Sequence, residues 1–206
     1  MKKILTLLSI CFLMFMLGRF TTSSNQEIVN SSTEESISYI IEGGYEEYDI
    51  NHESDAVYIK QTFKPNMSTS KIKHLLIYID GLCKHYDVNY NLVKSVISTE
   101  SAWNYKAKSR VGAKGLMQIM KACAKDYKTP HSEMYDPYVN VTIGIKYFSK
   151  LSKRFEDVQT ALVAYNEGPR HAERYKREYI DNSRYVSKVV THLLTFEPME
   201  GLAYND

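Results

Sequence analysis

Asn91-Leu92-Val93-Lys94-Ser95-Val96-Ile97-Ser98-Thr99-Glu100-Ser101 is the stretch that decides the fold. Leu92, Val93, Val96 and Ile97 recur at the three- and four-residue spacing of one helix face. The inward stripe through 93, 96 and 97 continues in register to 100, so Glu100 stands on an apolar face. A carboxylate there loses hydration when ionised, and near a helix C-terminus it also meets the negative end of the helix dipole. Both effects raise its pKa. A carboxyl tuned in this way suits proton donation near neutral pH. The alternative is a Glu that frays out of the helix end into water, and periodicity alone favours neither.

Working outward, the pattern stays helical. Upstream, Ile72, Leu75, Leu76, Ile79, Cys83 and Tyr86 mark an amphipathic helix that Ser68 or Ser70 could cap. Downstream, Val141, Ile145, Phe148 and Phe155 predict one helix, Val158, Leu162 and Tyr165 the next, and Tyr185, Val186, Val189, Val190 and Leu193 the last. Strand-like alternation is scarce, so the class is all-α, with a small irregular or hairpin insert around Lys108 to Lys114. No internal repeat is visible.

The 206 residues leave room for one compact domain and an appendage. Residues 1–20 read as a signal peptide or membrane anchor: Met1-Lys2-Lys3 is followed by an apolar run to Leu17. Gly18-Arg19-Phe20 stands where a small-x-small cleavage site would be expected, which keeps an uncleaved anchor open, although the run is shorter than the roughly 20 residues of a spanning helix. Ile10 is too large to precede a lipidated Cys11. Export to the envelope or the extracellular space is the expected localisation. Residues 21–65, rich in Ser, Asn and Glu and broken by Gly43-Gly44 and Pro65, read as a poorly structured acidic linker. Residues 66–206 form the helical domain.

Charge follows this division. Residues 21–60 carry nine acids against Lys60 alone, a balance of −8, whereas from 61 onward 22 Lys and Arg face 15 Asp and Glu, a balance of +7. A basic body is compatible with an anionic polymer partner. Cys83 and Cys123, the cysteines beyond the leader, could pair in an exported chain, but both lie in helical stretches where free cysteine acts as a small core residue. Their spacing suggests no metal site.

Two further segments could carry chemistry. Between Trp103 and Met120, Gly112 and Gly115 bracket a basic turn that permits a close approach of backbone to ligand, and Gln118 could offer a donor and an acceptor to a cleft. Its plain alternative is a satisfied polar residue among core Leu116, Met117 and Ile119. In Ala164-Tyr165-Asn166-Glu167-Gly168-Pro169 the Gly-Pro pair stops a helix, which puts Tyr165 and Asn166 in its last turn. Tyrosine stacks on sugar faces and Asn reads hydroxyls or amides; an ordinary helix end is the alternative.

Taken together these segments resemble a known family. Glu100-Ser101, then Ser109 with Gly-Ala-Lys-Gly-Leu-Met-Gln-Ile-Met from 112 to 120, then Asp136-Pro137 with Asn140 and Gly144, then the Tyr165-Asn166 segment, are similar in order and spacing to soluble lytic transglycosylase catalytic domains. The resemblance covers roughly residues 68 to 195. It implies a lysozyme-like helical domain, related to goose-type lysozymes, in which one glutamate does the acid and base work on the β-1,4 bond between N-acetylmuramic acid and N-acetylglucosamine. Glu100 matches that glutamate. Ser109, Gln118, Met120, Tyr165 and Asn166 match residues lining the glycan groove, Tyr185 resembles the family's late substrate-binding tyrosine near the acid, and Asp136, Pro137 and Asn140 match structural positions. Lys121 and Glu167 depart from the family's usual residues, and the segment ahead of Tyr185 lacks its common pattern.

The implied substrate and partner is the peptidoglycan glycan strand. No metal, cofactor or nucleic acid is expected. In the implied mechanism the substrate's N-acetyl group assists and a 1,6-anhydro product forms. A goose-type muramidase that uses water, and an inert wall-binding module in a larger envelope machine, are the alternatives.

Overall fold

The computed structural model describes residues 51–155 and 157–196, all within one of the chain's two units, Tyr45–Asp206. The expected leader and most of the expected linker lie outside the described residues. The helices are α1 His52–Phe63, α2 Thr69–Tyr86, α3 Tyr90–Ser101 and α4 Lys121–Asp126. After a 3-10 turn at His131–Tyr135 come α5 Pro137–Arg154, α6 Val158–Glu167, α7 Pro169–Ala172, α8 Arg177–Asp181 and α9 Arg184–Phe196. No strand occurs among the described residues; the insert near 108–114 holds only isolated bridges, Lys108 with Lys114 and Lys114 with Ile119. The all-α class stands.

Local chemistry sets the boundaries. Ser68, not Ser70, caps α2 by accepting from the Lys71 amide, and Asn89 caps α3 by accepting from Leu92 N. Asp136 caps α5 through the Tyr138 and Val139 amides, with Pro137 in the first turn. α5 ends at Arg154, so Phe155 lies just beyond the helix it was expected to mark. α9 packs against α3, α5 lies against α2 and α6, and α1 lies on α2.

That last contact corrects the linker. Residues 52–63 are not poorly structured: they form α1, with Ala56 and Ile59 fully buried. Two acids of that stretch are paired. Glu53 pairs with Lys73 at 2.7 Å and also sits in the first turn, where the helix dipole favours negative charge. Asp55 pairs at 2.5 Å with Lys94 of α3, which is only 2 % exposed. The Lys94 ammonium also lies over the rings of Tyr90, at 4.4 Å, and Phe196, at 4.5 Å, and the Tyr90 hydroxyl donates to Asp55 Oδ2 at 3.2 Å.

Asn140 of α5 ties down the segment after α3. It is fully buried, donates to the carbonyls of Lys114 and Met134 at 2.9 Å each, and accepts from Met117 N at 2.8 Å. Gly115 packs directly on it: φ is +77°, and a Cβ there would fall 2.1 Å from the Met134 carbonyl oxygen and 2.2 Å from Asn140 Nδ2. Cys83 is buried, Cys123 partly so, and both are free thiols.

Candidate active site

Glu100 lies in the last turn of α3. The hydroxyls around it are engaged with the helix backbone: Ser98 Oγ donates to the Lys94 carbonyl at 2.8 Å, Thr99 Oγ1 to Ser95 at 2.9 Å and Ser101 Oγ to Ile97 at 3.2 Å. Two left-handed residues, Ala102 (φ 49°) and Trp103 (φ 62°), then turn the chain away. Trp103 is fully buried and its indole N–H donates to Ser98 Oγ at 2.9 Å, which fixes the exit from the helix.

One side chain reaches the carboxyl from across the fold. The Tyr185 hydroxyl, at the start of α9, donates to Glu100 Oε1 at 2.8 Å. Burial pushes the Glu100 pKa up to about 7, against the opposing pull of that hydrogen bond. The Tyr185 hydroxyl is itself held above its ordinary range by burial and by the Glu100 charge beside it, so it remains a donor.

Tyr165, in the last turn of α6, completes the cluster. Its hydroxyl donates to the Met117 carbonyl at 2.8 Å, and its ring packs on Tyr147 (5.5 Å) and Phe148 (6.0 Å). Burial first and the Glu100 charge second push its pKa up. Glu100 and Tyr185, 85 residues apart in sequence, are thus brought into direct contact, and Tyr165 is anchored to Met117.

The remaining sequence candidates behave differently. Ser109 closes the turn of the insert: its amide donates to the Ala113 carbonyl at 2.9 Å and its Oγ accepts from Ala113 N at 3.0 Å. Gln118, at φ 48°, spends its amide N–H groups on the carbonyls of Gly115 (2.9 Å) and Ala107 (3.4 Å), so only its side-chain oxygen is left for a ligand. Met120 precedes α4 with 43 % of its surface exposed, and Asn166 is exposed at the end of α6. Sequence reasoning missed Trp103 and Tyr147 as supports; Tyr147 adjoins the stripe residue Phe148, the one local sign of its position. Among the described residues no group of three His, Cys, Asp or Glu could hold a metal ion.

Residues 77–187 match the model of a family described as the transglycosylase SLT domain, just over half of the chain. Among curated proteins, a transglycosylase of Enterobacteria phage PRD1 is 40% identical over 94 residues, covering 46% of this chain and 35% of its own length. A soluble lytic murein transglycosylase of Salmonella typhimurium is 37% identical over 93 residues, 40% of this chain and 14% of that protein. Membrane-bound lytic murein transglycosylase E of Buchnera aphidicola is 35% identical over 131 residues, 53% and 59% of the two lengths. The matches thus span between a seventh and three fifths of these relatives. In fold, the chain is similar to the 70 kDa soluble lytic transglycosylase of Escherichia coli, with a TM-score of 0.50 and 20% identity over 70% of this chain and 29% of that one. An inactive mutant of the lytic transglycosylase Slt of Pseudomonas aeruginosa gives a TM-score of 0.51 at 23% identity, over 58% and 23%.

Proposed function

The chain belongs to the transglycosylase SLT domain family, and we propose that it is an exported peptidoglycan lytic transglycosylase whose acid and base is Glu100. The observation that carries this reading is the state of that one carboxyl: burial pushes it to about 7, a tyrosine hydroxyl orients it, and no second carboxylate among the described residues contributes to its pKa. A glycosidase acid must hold a proton near neutral pH, and a single-carboxyl site needs the substrate to supply what a second carboxyl otherwise would.

The steps follow from that state. Protonated Glu100 gives its proton to the glycosidic oxygen as the C1–O bond of N-acetylmuramic acid breaks, and the leaving N-acetylglucosamine departs with a free hydroxyl. The substrate's acetamido oxygen stabilises the developing positive charge at C1. Glu100, now a carboxylate, takes the proton of the C6 hydroxyl of the same muramic acid as O6 bonds to C1, which closes the 1,6-anhydro ring and restores the acid. Tyr185 holds Glu100 in place through both transfers, and Tyr165 and Asn166 flank the glycan. Ser109, Met120 and the free oxygen of Gln118 form the more distant wall of the groove.

We also infer that residues 1–20 direct export or anchor the chain, and that the catalytic domain begins with α1. The glycan strand is the partner, and attachment to the membrane or to a larger envelope machine would pass through the N-terminal segment.

Mass spectrometry of digested sacculi tests the reaction. Anhydro-muropeptides are expected, and products with only reducing ends would overturn it in favour of hydrolysis. Glu100→Gln should lower the rate by about a thousandfold or more, the scale of losing a general acid, while retaining the fold. Undiminished lysis by that variant would remove Glu100 from the mechanism.

A further inference from the structure

Outside the Glu100 site lies a pocket of about 260 Å3 between α2, the segment after α4, and α5. Its lining includes Tyr78, Tyr127, Thr129, Tyr138, Thr142 and Lys146. Tyr138, Thr142 and Lys146 recur every four residues and so form one outward stripe of α5. Such a stripe on a solvated helix ordinarily carries charged and small polar residues. Here it carries an aromatic ring, a hydroxyl and a single ammonium.

The aromatic part is preorganised. Tyr78 of α2 meets Tyr138 edge to face, with centroids 5.2 Å apart at 78°, and its hydroxyl shares a 2.9 Å hydrogen bond with Thr142 Oγ1. Yet Tyr78 and Tyr138 remain 39 % and 40 % exposed, two large residues left partly to water. Lys146 lies between the rings of Tyr86 (5.9 Å) and Tyr127 (5.7 Å) and makes no ion pair among the described residues. Its neighbour Tyr147 packs its ring on Tyr165, so α5 contributes residues both to the pocket and to the surroundings of Tyr165.

Exposed tyrosine faces, flanking hydroxyls and one uncompensated cation match a carbohydrate that carries carboxylates. We propose that this pocket is a second, non-catalytic site for peptidoglycan, in which the edge-to-face corner of Tyr78 and Tyr138 offers a ring face to an N-acetylhexosamine and Lys146 takes a carboxylate of the same strand. The identity of the polymer rests on the proposed function above; the recognition chemistry rests on the pocket alone. A site of this kind keeps the enzyme on insoluble wall between cleavage events.

Co-sedimentation of the full chain with insoluble sacculi, alongside titration with tetra-N-acetylchitotetraose, tests it. The pair Tyr78→Ala and Tyr138→Ala should sediment about tenfold less strongly with an unchanged circular dichroism spectrum, because the ring faces of the aromatic corner are lost. The pair Tyr78→Phe and Tyr138→Phe keeps those faces and should retain binding. Lys146→Gln should weaken binding to sacculi and leave the uncharged chitotetraose untouched. Alanine variants that sediment like the wild type, or phenylalanine variants that lose as much as alanine, would overturn the site, as would a wild-type chain that does not sediment at all. A wild-type chain that binds through these tyrosines without cleaving sacculi would sink the catalytic reading and leave the pocket standing. One that cleaves but ignores the alanine pair would do the reverse.

Discussion

Lys94 and Glu100 sit six residues apart on the same helix, both withdrawn from water, and the fold treats them in opposite ways. Lys94 is given a carboxylate, Asp55, and two aromatic rings, so a buried charge becomes a strut between α1 and α3. Glu100 is given only a tyrosine hydroxyl, so its proton is held more tightly. A matched buried charge holds structure, whereas an unmatched one stores a proton that can be delivered.

The comparison breaks most severely at the paired end. Asp55→Ala leaves Lys94 buried without a partner and should destabilise the protein by about 3–5 kcal/mol in a denaturant titration. Lys94→Met combined with Asp55→Asn should restore most of that loss; a single Asp55→Ala variant as stable as the wild type would refute the strut.

At the other end the effect depends on pH, and its sign is fixed. Because the folded pKa of Glu100 is raised from 4.5 to about 7, the folded state keeps a proton that the unfolded chain releases in that window. Its contribution is whole below about 4.5 and is lost as pH rises to about 7. Glu100→Gln has no such loss, so at pH 8 it should exceed the wild type by up to about 3 kcal/mol, with the gap closing toward pH 4.5. Over the same range wall-lytic activity of the wild type should fall as pH rises through about 7. A stability difference that ignores pH would contradict the buried, protonated carboxyl.

The smallest change sharpens the contrast. Tyr185→Phe removes the one interaction that lowers the Glu100 pKa, so the alkaline limb of the activity profile should move to higher pH, with a stability cost of about 1 kcal/mol. A limb displaced to lower pH would show that Tyr185 does not act through Glu100.

Much of the fold was legible in the sequence. α2, α3, α5, α6 and α9 carry apolar stripes that only a helix can gather on one side, and the register that put Glu100 on such a stripe also gave the direction of its pKa shift. α1 was not legible. It buries little beyond Ala56 and Ile59, and its acids resemble a solvated tether until Lys94 and Lys73 are seen opposite them. Within the site, the contact of Tyr185 with Glu100 spans 85 residues, so no local pattern signals it, and the resemblance of the motifs had to supply it. Ser109 and Gln118 show the converse limit. Residue type suggested free polar groups, but turn geometry commits much of their hydrogen-bonding capacity to the backbone.

Gly115 carries a last consequence, for mutational tolerance. It touches no proposed substrate atom, yet a single added carbon would collide with the Met134 carbonyl and with Asn140, whose side-chain oxygen anchors Met117, the residue that holds Tyr165. A saturation library would therefore see position 115 as a shadow of the proposed active site, intolerant for reasons of space and backbone sign where the proposed acid, Glu100, would be intolerant for reasons of chemistry.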